Sequence, residues 1–517
     1  MQMKTLVLAV AATLVAAPAF ATLTPEAVSG VQKIILSGAT APDGFVESSV
    51  KEMLEPVGLK TYRDNAAATL AFQHRAWYGL AKAGIPGVTA GTPILFVKRS
   101  KGGSVWGVDP VARASRIESL DFSACTVGGA AAGDAGKVYD YFCPTKGLDP
   151  DNANFNNPAL NTGVPSDFGV SDVSPALFKA PYNVEFGQSE LSVAEVAKLT
   201  VLPVNTLIMG LAVTNDVPDT TAINRTDYGN MLMGRTYDWT QIDAGLGGNT
   251  QVVVCRRVNG SGTQASYNWF FNNFPCESAF SGAQAPMSMY LDNASGISGG
   301  PGTSSTNPFI IDPTAGFTVV NNSTSGDVRN CLKNANAHTD HLAKGDDGKW
   351  YKTLFSKDPD GAGPLVAQAY KAIGVLSGDS YGSENGWSFR NIYGAGNFFP
   401  ADQTTTTAAP TGIAPSKANL LNGSWDFAVE LTMQYRNANV TNPQGDVITP
   451  LAGTKLAFAN ELIKRSGDPA KIDLNSKKNV YAALPDFYDP TLGGVFTDHT
   501  ALGSHQGNMC QPLVRQY

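Results

Sequence analysis

Apolar residues recur at helical spacing over residues 43–54, where Val46, Val50, Met53 and Leu54 share one face and predict a helix. The run just before it, "KIILSGAT" (33–40), reads as a strand followed by a tight turn. "LAFQHRAWYGLAKAG" (70–84) predicts a second helix, closed by Gly84. "TPILFVKRSKGGSVWGV" (92–108) predicts a strand, a glycine turn and a helix. Residues 121–182, rich in Gly, Asn, Asp and Pro, predict an irregular insert. Over 183–216 the pattern gives a short strand, a polar turn, an amphipathic helix and a long apolar strand. In "TQVVVCRRVNGSGTQASYNWFF" (250–271) a β-branched run ends in two arginines and a small flexible loop. A helix follows, with Tyr267, Phe270, Phe271 and Phe274 on its buried face. Residues 371–379 predict a strand, 425–436 a strand or a strand–helix junction, and 454–467 a helix ending in Lys464, Arg465 and Gly467. Residues 294–308 and 401–416 predict loops or linkers. Alternating strands and helices make the chain α/β.

Composition adds a compartment. The chain opens "MQMKTLVLAVAATLVAAPAFA", with Lys4, an apolar run from Leu6 to Ala17, and Ala19-Phe20-Ala21 as a small-x-small cleavage site. Residues 1–21 therefore read as a secretory signal peptide, with a mature start at Thr22. No cysteine marks a lipid anchor there, and no later run reaches the roughly 18 apolar residues of a membrane span. A periplasmic or extracellular product is expected, without membrane insertion. Six cysteines, Cys125, Cys143, Cys255, Cys276, Cys331 and Cys510, suit disulfides in such a compartment. Cys125 with Cys143 is the easiest local pairing. A straight helix between Cys255 and Cys276 would hold its ends about 15 Å apart, so that pairing needs a short or bent helix. The net charge of −7 disfavours nonspecific nucleic-acid binding.

The glycine turns carry the chemistry. A helix start has backbone N–H groups without intrahelical partners and a positive dipole end. In "RRVNGSGT", glycines let that backbone approach a guest, Ser261 and Thr263 add hydroxyls, and Arg257 adds a fork of donors. A capped helix start with a surface arginine is the plain alternative. Similar junctions recur at "SGATAP", with Thr40 and Ala41, and at "KGGSVWGV", with Ser104. "FGQSEL" places Glu190 in a turn before a helix. A carboxylate among anion donors is useful if the anion carries a proton for it to accept. A fully ionised anion would leave that carboxylate buried and unpaired.

In its order of motifs the chain resembles the periplasmic phosphate-binding proteins of ABC transporters, a type II substrate-binding fold. The motifs are Gly38-Ala39-Thr40 after a strand, Gly102 to Ser104, and "VEFGQSEL" where the family shows F-G-A-S-D. "LPVNTLIMGLAVTND", "MGRTYDWTQI", "RRVNGSGT" against R-x-D-G-S-G-T, and "AIGVLSGDS" follow in the family's order. The resemblance implies that Thr40, the Ala41 N–H, Ser104, Glu190, Arg257, Ser261, Gly262 and Thr263 hold phosphate, and that a membrane permease is a partner. Two departures stand out. Glu190 is one methylene longer than the family's aspartate, and Asn259 replaces an acid beside the arginine.

The expected architecture is two α/β lobes joined by crossing segments, with a hinge and a cleft between them. Lobe one spans 22–212, with an insertion at about 106–182, lobe two spans 213–414, and 415–517 returns to lobe one with a C-terminal extension. The function expected is capture of phosphate or a similar protonated oxyanion, without bond-breaking chemistry, cofactor or metal. The alternative is a secreted surface, adhesive or filament-forming protein that reuses the fold. Two further motifs fall short. "GDSYG" around Ser380 lacks the apolar helix of a nucleophile elbow. "HTDH", with His338, Asp340 and His341, lacks further ligands nearby.

Overall fold

The computed structural model describes residues 24–64, 73–131, 137–149, 152–185, 187–276, 296–358, 368–393, 412–487, 489 and 491–515, apart from 476–479. The expected signal peptide and most of the 401–416 linker lie outside these residues. No helix among the described residues is long and apolar enough to cross a membrane.

The first half is built on β1 (Gln32–Gly38), α1 (Asp43–Met53), β2 (Lys60–Asp64), β3 (His74–Leu80), β4 (Pro93–Arg99) and β5 (Phe168–Ser171). A long strand, β6 (Leu199–Thr214), leads out of it. The second half holds β7 (Asn249–Arg257), α2 (Gly262–Asn272), β8 (Thr318–Asn322), α3 (Ser325–Asn336) and β9 (Tyr370–Ser377). The chain returns through β10 (Ala428–Arg436) and α4 (Gly453–Gly467).

The strand order is β8–β7–β9–β6–β10–β5–β1–β4–β3–β2, continued by Tyr141–Cys143 and Thr126–Val127. β1 runs parallel to both β4 and β5, and β7 runs parallel to both β8 and β9. β6 joins the two groups. Its Leu199–Ile208 stretch pairs with β10, and its Met209–Val213 stretch pairs with β9. The fold is therefore α/β with two sheet-based halves sharing a crossing strand. This topology creates two carboxyl edges of parallel strands, which is where open α/β sheets place ligands.

Burial explains the order. Ile34, Leu36, Phe45, Val46, Val50 and Met53 pack with Phe96, Phe168 and Phe458 in the core of the first half. Val253, Val320, Val328, Leu332 and Ala372 form a second cluster under α3. The disulfides are Cys125–Cys143, as the local spacing suggested, Cys255–Cys331 and Cys276–Cys510. Cys255 thus ties β7 to α3 rather than to the end of α2.

Four expectations are corrected. The helix expected over 70–84 is the strand β3 over its described part, paired with β2 and with β4. An inner strand is buried on both faces, so its apolar residues imitate helical spacing. The loop expected over 294–308 includes a strand, Ser298–Ser304, paired with Asn307–Ile311. The insert read as irregular contains β5, a four-residue strand at the centre of the sheet. The helix expected after the glycine turn is two short turns, Ser104–Gly107 and Asp109–Ala112.

Candidate functional site

Three glycines let the turns of the first half converge. Gly38 closes β1 with φ of 117°, a left-handed value that disfavours any Cβ. Gly107 and Gly169 press against each other and against the end of β1. A Cβ on Gly38 would sit 2.7 Å from Gly107 Cα, and one on Gly169 would collide with the Gly107 carbonyl. Ser37 Oγ donates to the Trp106 carbonyl at 2.7 Å, and Ala39 N donates to the Val170 carbonyl at 2.9 Å. The turns after β1, β4 and β5 are thereby held at one edge.

Lys98 and Arg99 stiffen that edge from β4. The buried Lys98 ammonium donates to the carbonyls of Gly38 (3.1 Å) and Ala39 (3.0 Å) and sits 3.1 Å from Asp43. Burial pulls its pKa down, opposed mainly by Asp43. The Arg99 guanidinium lies 4.1 Å from the Trp106 ring and bonds Asp149 at 2.9 Å.

At this edge Ser104 Oγ donates to Asp172 Oδ2 at 3.0 Å. Asp172 follows β5 directly and is 8% exposed, and its Oδ1 has no hydrogen-bond partner. Burial pushes its carboxyl up to about 6, against the lowering influence of Ser104 and Arg257. The edge of the second half meets it. Val105 N donates to the Gly260 carbonyl at 3.0 Å. A Cβ on Gly262 would lie 2.8 Å from Asp172 Cβ, and one on Gly103 would lie 3.8 Å from Arg257 Nη2 and from Ser261 Cα.

Arg257 ends β7 and is buried. Its guanidinium donates to Ser325 Oγ at 3.1 Å and to the Ser323 carbonyl at 2.9 Å, while Nε has no partner. Burial lowers its pKa, and Asp172 and Asp327 oppose that. Ser261 is the N-cap of α2, but its side chain makes no capping bond. The first-turn N–H groups of Gly262, Thr263 and Gln264 thus keep their donor capacity.

The structure brings Ser104, Arg257, Ser261 and Gly262 together, with Thr263 in the next helical position. Thr40 is exposed at the end of β1, and its carbonyl accepts Asp43 N at 3.1 Å. The Ala41 carbonyl accepts Tyr481 Oη at 2.8 Å. No described hydrogen bond joins either residue to Arg257. Glu190 is not brought to this junction. Its carboxylate accepts from Lys179 Nζ at 3.3 Å and from Ala180 N at 2.8 Å.

The acceptor at the junction is Asp172, which the sequence reading passed over. A signal was present, because Phe168-Gly169-Val170-Ser171-Asp172 matches F-G-A-S-D more closely than "FGQSEL" does. Asn259 lacks a charge, but its N–H donates to the buried Asp346 at 3.0 Å, so an acid reaches this turn from elsewhere.

No protein-family profile matches the chain, and no curated protein does. Solved structures resembling it include a DING protein, with 13% identity over 87% of this chain and 91% of that one, and a TM-score of 0.38. PstS from Borrelia burgdorferi aligns at 8% identity over 86% and 97% of the two chains, with a TM-score of 0.32. An ABC-type phosphate transport receptor from Vibrio cholerae aligns at 12% over 60% and 79%, with a TM-score of 0.29. Superpositions this loose carry no argument about a ligand. The fold assignment rests on the strand order and the shared strand β6.

The other motifs resolve simply. Ser380 is buried in a short turn and accepts from Arg329 Nη1 at 3.1 Å, with no helix behind it. His338 faces Asp358 and His341 faces Asn322, at 2.9 and 2.8 Å. Among the described residues no cluster of histidine, cysteine and acids could hold a metal.

Proposed function

We propose that the junction captures phosphate or a similar protonated oxyanion, released from bulk water between the two carboxyl edges. One observation carries this reading. A buried carboxyl with an unpartnered oxygen, Asp172, shares the junction with a buried guanidinium whose Nε is unpartnered, and with an uncapped helix start. Arg257, Ser261, Gly262 and Thr263 supply donors, Ser104 adds a hydroxyl, and Thr40 and the Ala41 N–H close the set by motion of the β1 turn. Asp172, rather than Glu190, accepts the anion's proton. A periplasmic or extracellular setting and a membrane permease as partner belong to this proposal.

The selectivity has a defined pH window. Asp172 sits at about 6, above the ordinary aspartate value, so it is ionised above about 6 and protonated below. The charged groups acting on it are Arg257, Asp379 and Lys98. Ionised, it accepts a proton-bearing anion and repels sulfate. Protonated, it donates to sulfate instead. The preference for phosphate over sulfate is therefore expected to hold above about pH 6 and to shrink as pH falls through that value. Calorimetry with both anions checks this, and a preference that does not change with pH would remove Asp172 from the account. Asp172→Asn is expected to flatten the preference by about tenfold or more at neutral pH. Glu190→Gln is expected to leave it within about twofold, because that carboxylate is part-exposed and paired elsewhere.

The rival reading is a secreted structural protein on this fold. The direct bond from Val105 N to the Gly260 carbonyl favours it, because it fastens the two edges to each other through the backbone. Absence of heat with phosphate, arsenate and sulfate, together with polymer formation, would decide for that reading.

A further inference from the structure

The chain after α4 comes back to the junction in a short strand, β11 (Tyr481–Ala483). β11 pairs with β6 and takes up the line of β9, because Met209 lies opposite Ser377 and Leu207 lies opposite Tyr481. Val480 seats against the turn after β9, where a Cβ on Gly378 would lie 2.8 Å from its Cγ1. The Val480 carbonyl accepts Ile208 N at 3.1 Å. Further along, Ala483 N donates to the His499 carbonyl at 2.6 Å, and the Ala483 carbonyl accepts Ala501 N at 2.9 Å. The backbone of Tyr481 is thereby fixed beside the carboxyl end of β9. Its side chain is buried and reaches the first half. The ring lies beside Phe45 of α1, with centroids 6.4 Å apart, and its Oη donates to the Ala41 carbonyl at 2.8 Å.

That bond completes a pattern in the β1 turn. The carbonyls of Gly38 and Ala39 accept from Lys98 Nζ, that of Thr40 from Asp43 N, and that of Ala41 from Tyr481. Among the described residues nothing accepts the N–H of Thr40 or of Ala41. A turn whose acceptors are engaged and whose successive N–H groups are left over presents positive partial charge to an anion. Three of the four bonds are local to the first half, and the fourth comes from 440 residues along the chain. Holding the Ala41 carbonyl holds that residue from its far side, and so sets where its N–H points. Burial, with Asp379, Asp172 and Asp43 nearby, pushes the phenol well above its ordinary value, so its hydroxyl stays a donor at neutral pH.

We infer that Tyr481 is a positioning residue of the oxyanion junction, which keeps the Thr40–Ala41 turn with its N–H groups toward the anion. The inference rests on the oxyanion reading and deepens it. Tyr481 itself acts through the turn. With Ala41 held, the motion that closes the set is a swing of Thr40 against a fixed neighbour rather than a drift of the whole turn.

Tyr481→Phe keeps the ring and removes the hydroxyl. Calorimetry of the full chain at neutral pH is expected to show phosphate weakened about tenfold. Thr40→Ala supplies the second arm. It is expected to cost about tenfold in the unmodified chain but less than about threefold beside Tyr481→Phe, because a displaced turn has already lost that hydroxyl. Affinity within about twofold of the unmodified chain in either single variant overturns the inference. So do additive losses, which would leave Tyr481 a purely structural side chain. Should Tyr481→Phe lose its cooperative melting, hydrogen exchange of the unmodified chain decides. Phosphate is expected to slow exchange at residues 40–41 and 480–483 together, and no slowing at 480–483 overturns the inference. An unmodified chain that binds no phosphate fails the oxyanion reading first, and this inference with it.

Discussion

Gly169→Ala is expected to unfold the chain or to lower its stability by at least about 3 kcal/mol. Gly169 lies in β5, where Phe168 and Val170 point into the core, and its Cα faces the carbonyl of Gly107. The added methyl would collide with backbone rather than with the end of a flexible side chain. Backbone can yield only if the Ser104–Gly107 turn moves off β5. That turn is fastened by Ser37 Oγ on the Trp106 carbonyl and by Gln434 Nε2 on the Gly107 carbonyl at 2.6 Å. The substitution therefore sets the sheet against the turn that carries Ser104. Gly129→Ala is the control, because a Cβ there meets nothing within 4 Å. Denaturant midpoints compare the two. Equal midpoints would show that the glycine contact is not what holds the turn in place.

The second large effect is on binding. Arg257→Ala is expected to weaken phosphate by about 3 kcal/mol or more, roughly a hundredfold in Kd. A buried guanidinium acts without the screening of bulk water, and its Nε has no hydrogen-bond partner within the chain. Its removal also takes away a positive neighbour of Asp172, so that carboxyl would be pushed further up. Arg257→Lys keeps the charge and loses the fork, so an intermediate loss of about tenfold is expected. The lysine variant decides if the alanine variant does not fold. Phosphate titrations indistinguishable from the unmodified protein would end the oxyanion reading.

The parts of this arrangement that sequence revealed are local ones. Arg257, Ser261, Gly262 and Thr263 are consecutive or nearly so, and their turn is written in glycine and hydroxyl residues. β1, α1, β7, α2 and α4 carry clear periodicity and lie where the pattern put them. Asp172 was hidden because the strand before it has four residues inside a stretch rich in turn formers. β3 was hidden because a strand buried on both faces carries no alternation. The contact of Gly38, Gly107 and Gly169 joins three separate segments, and no window of sequence contains it. Lys98 reads as the polar end of a strand, yet its ammonium is fully inside and shapes the turn at Thr40.

The bridge between Cys276 and Cys510 has a kinetic meaning. Cys276 lies just beyond the end of α2, while the segment around Cys510 is seated on β10, where Gly507 N donates to Glu430 at 3.0 Å. A covalent leash therefore runs from the helix bearing Ser261 to the return strand, in addition to the peptide crossings. On the oxyanion reading it would limit how far the two carboxyl edges can travel apart, and so the escape rate of the anion between them. On the same reading, replacing Cys276 and Cys510 together by serine is expected to lengthen that leash and speed release, with Cys255–Cys331 still holding β7 to α3.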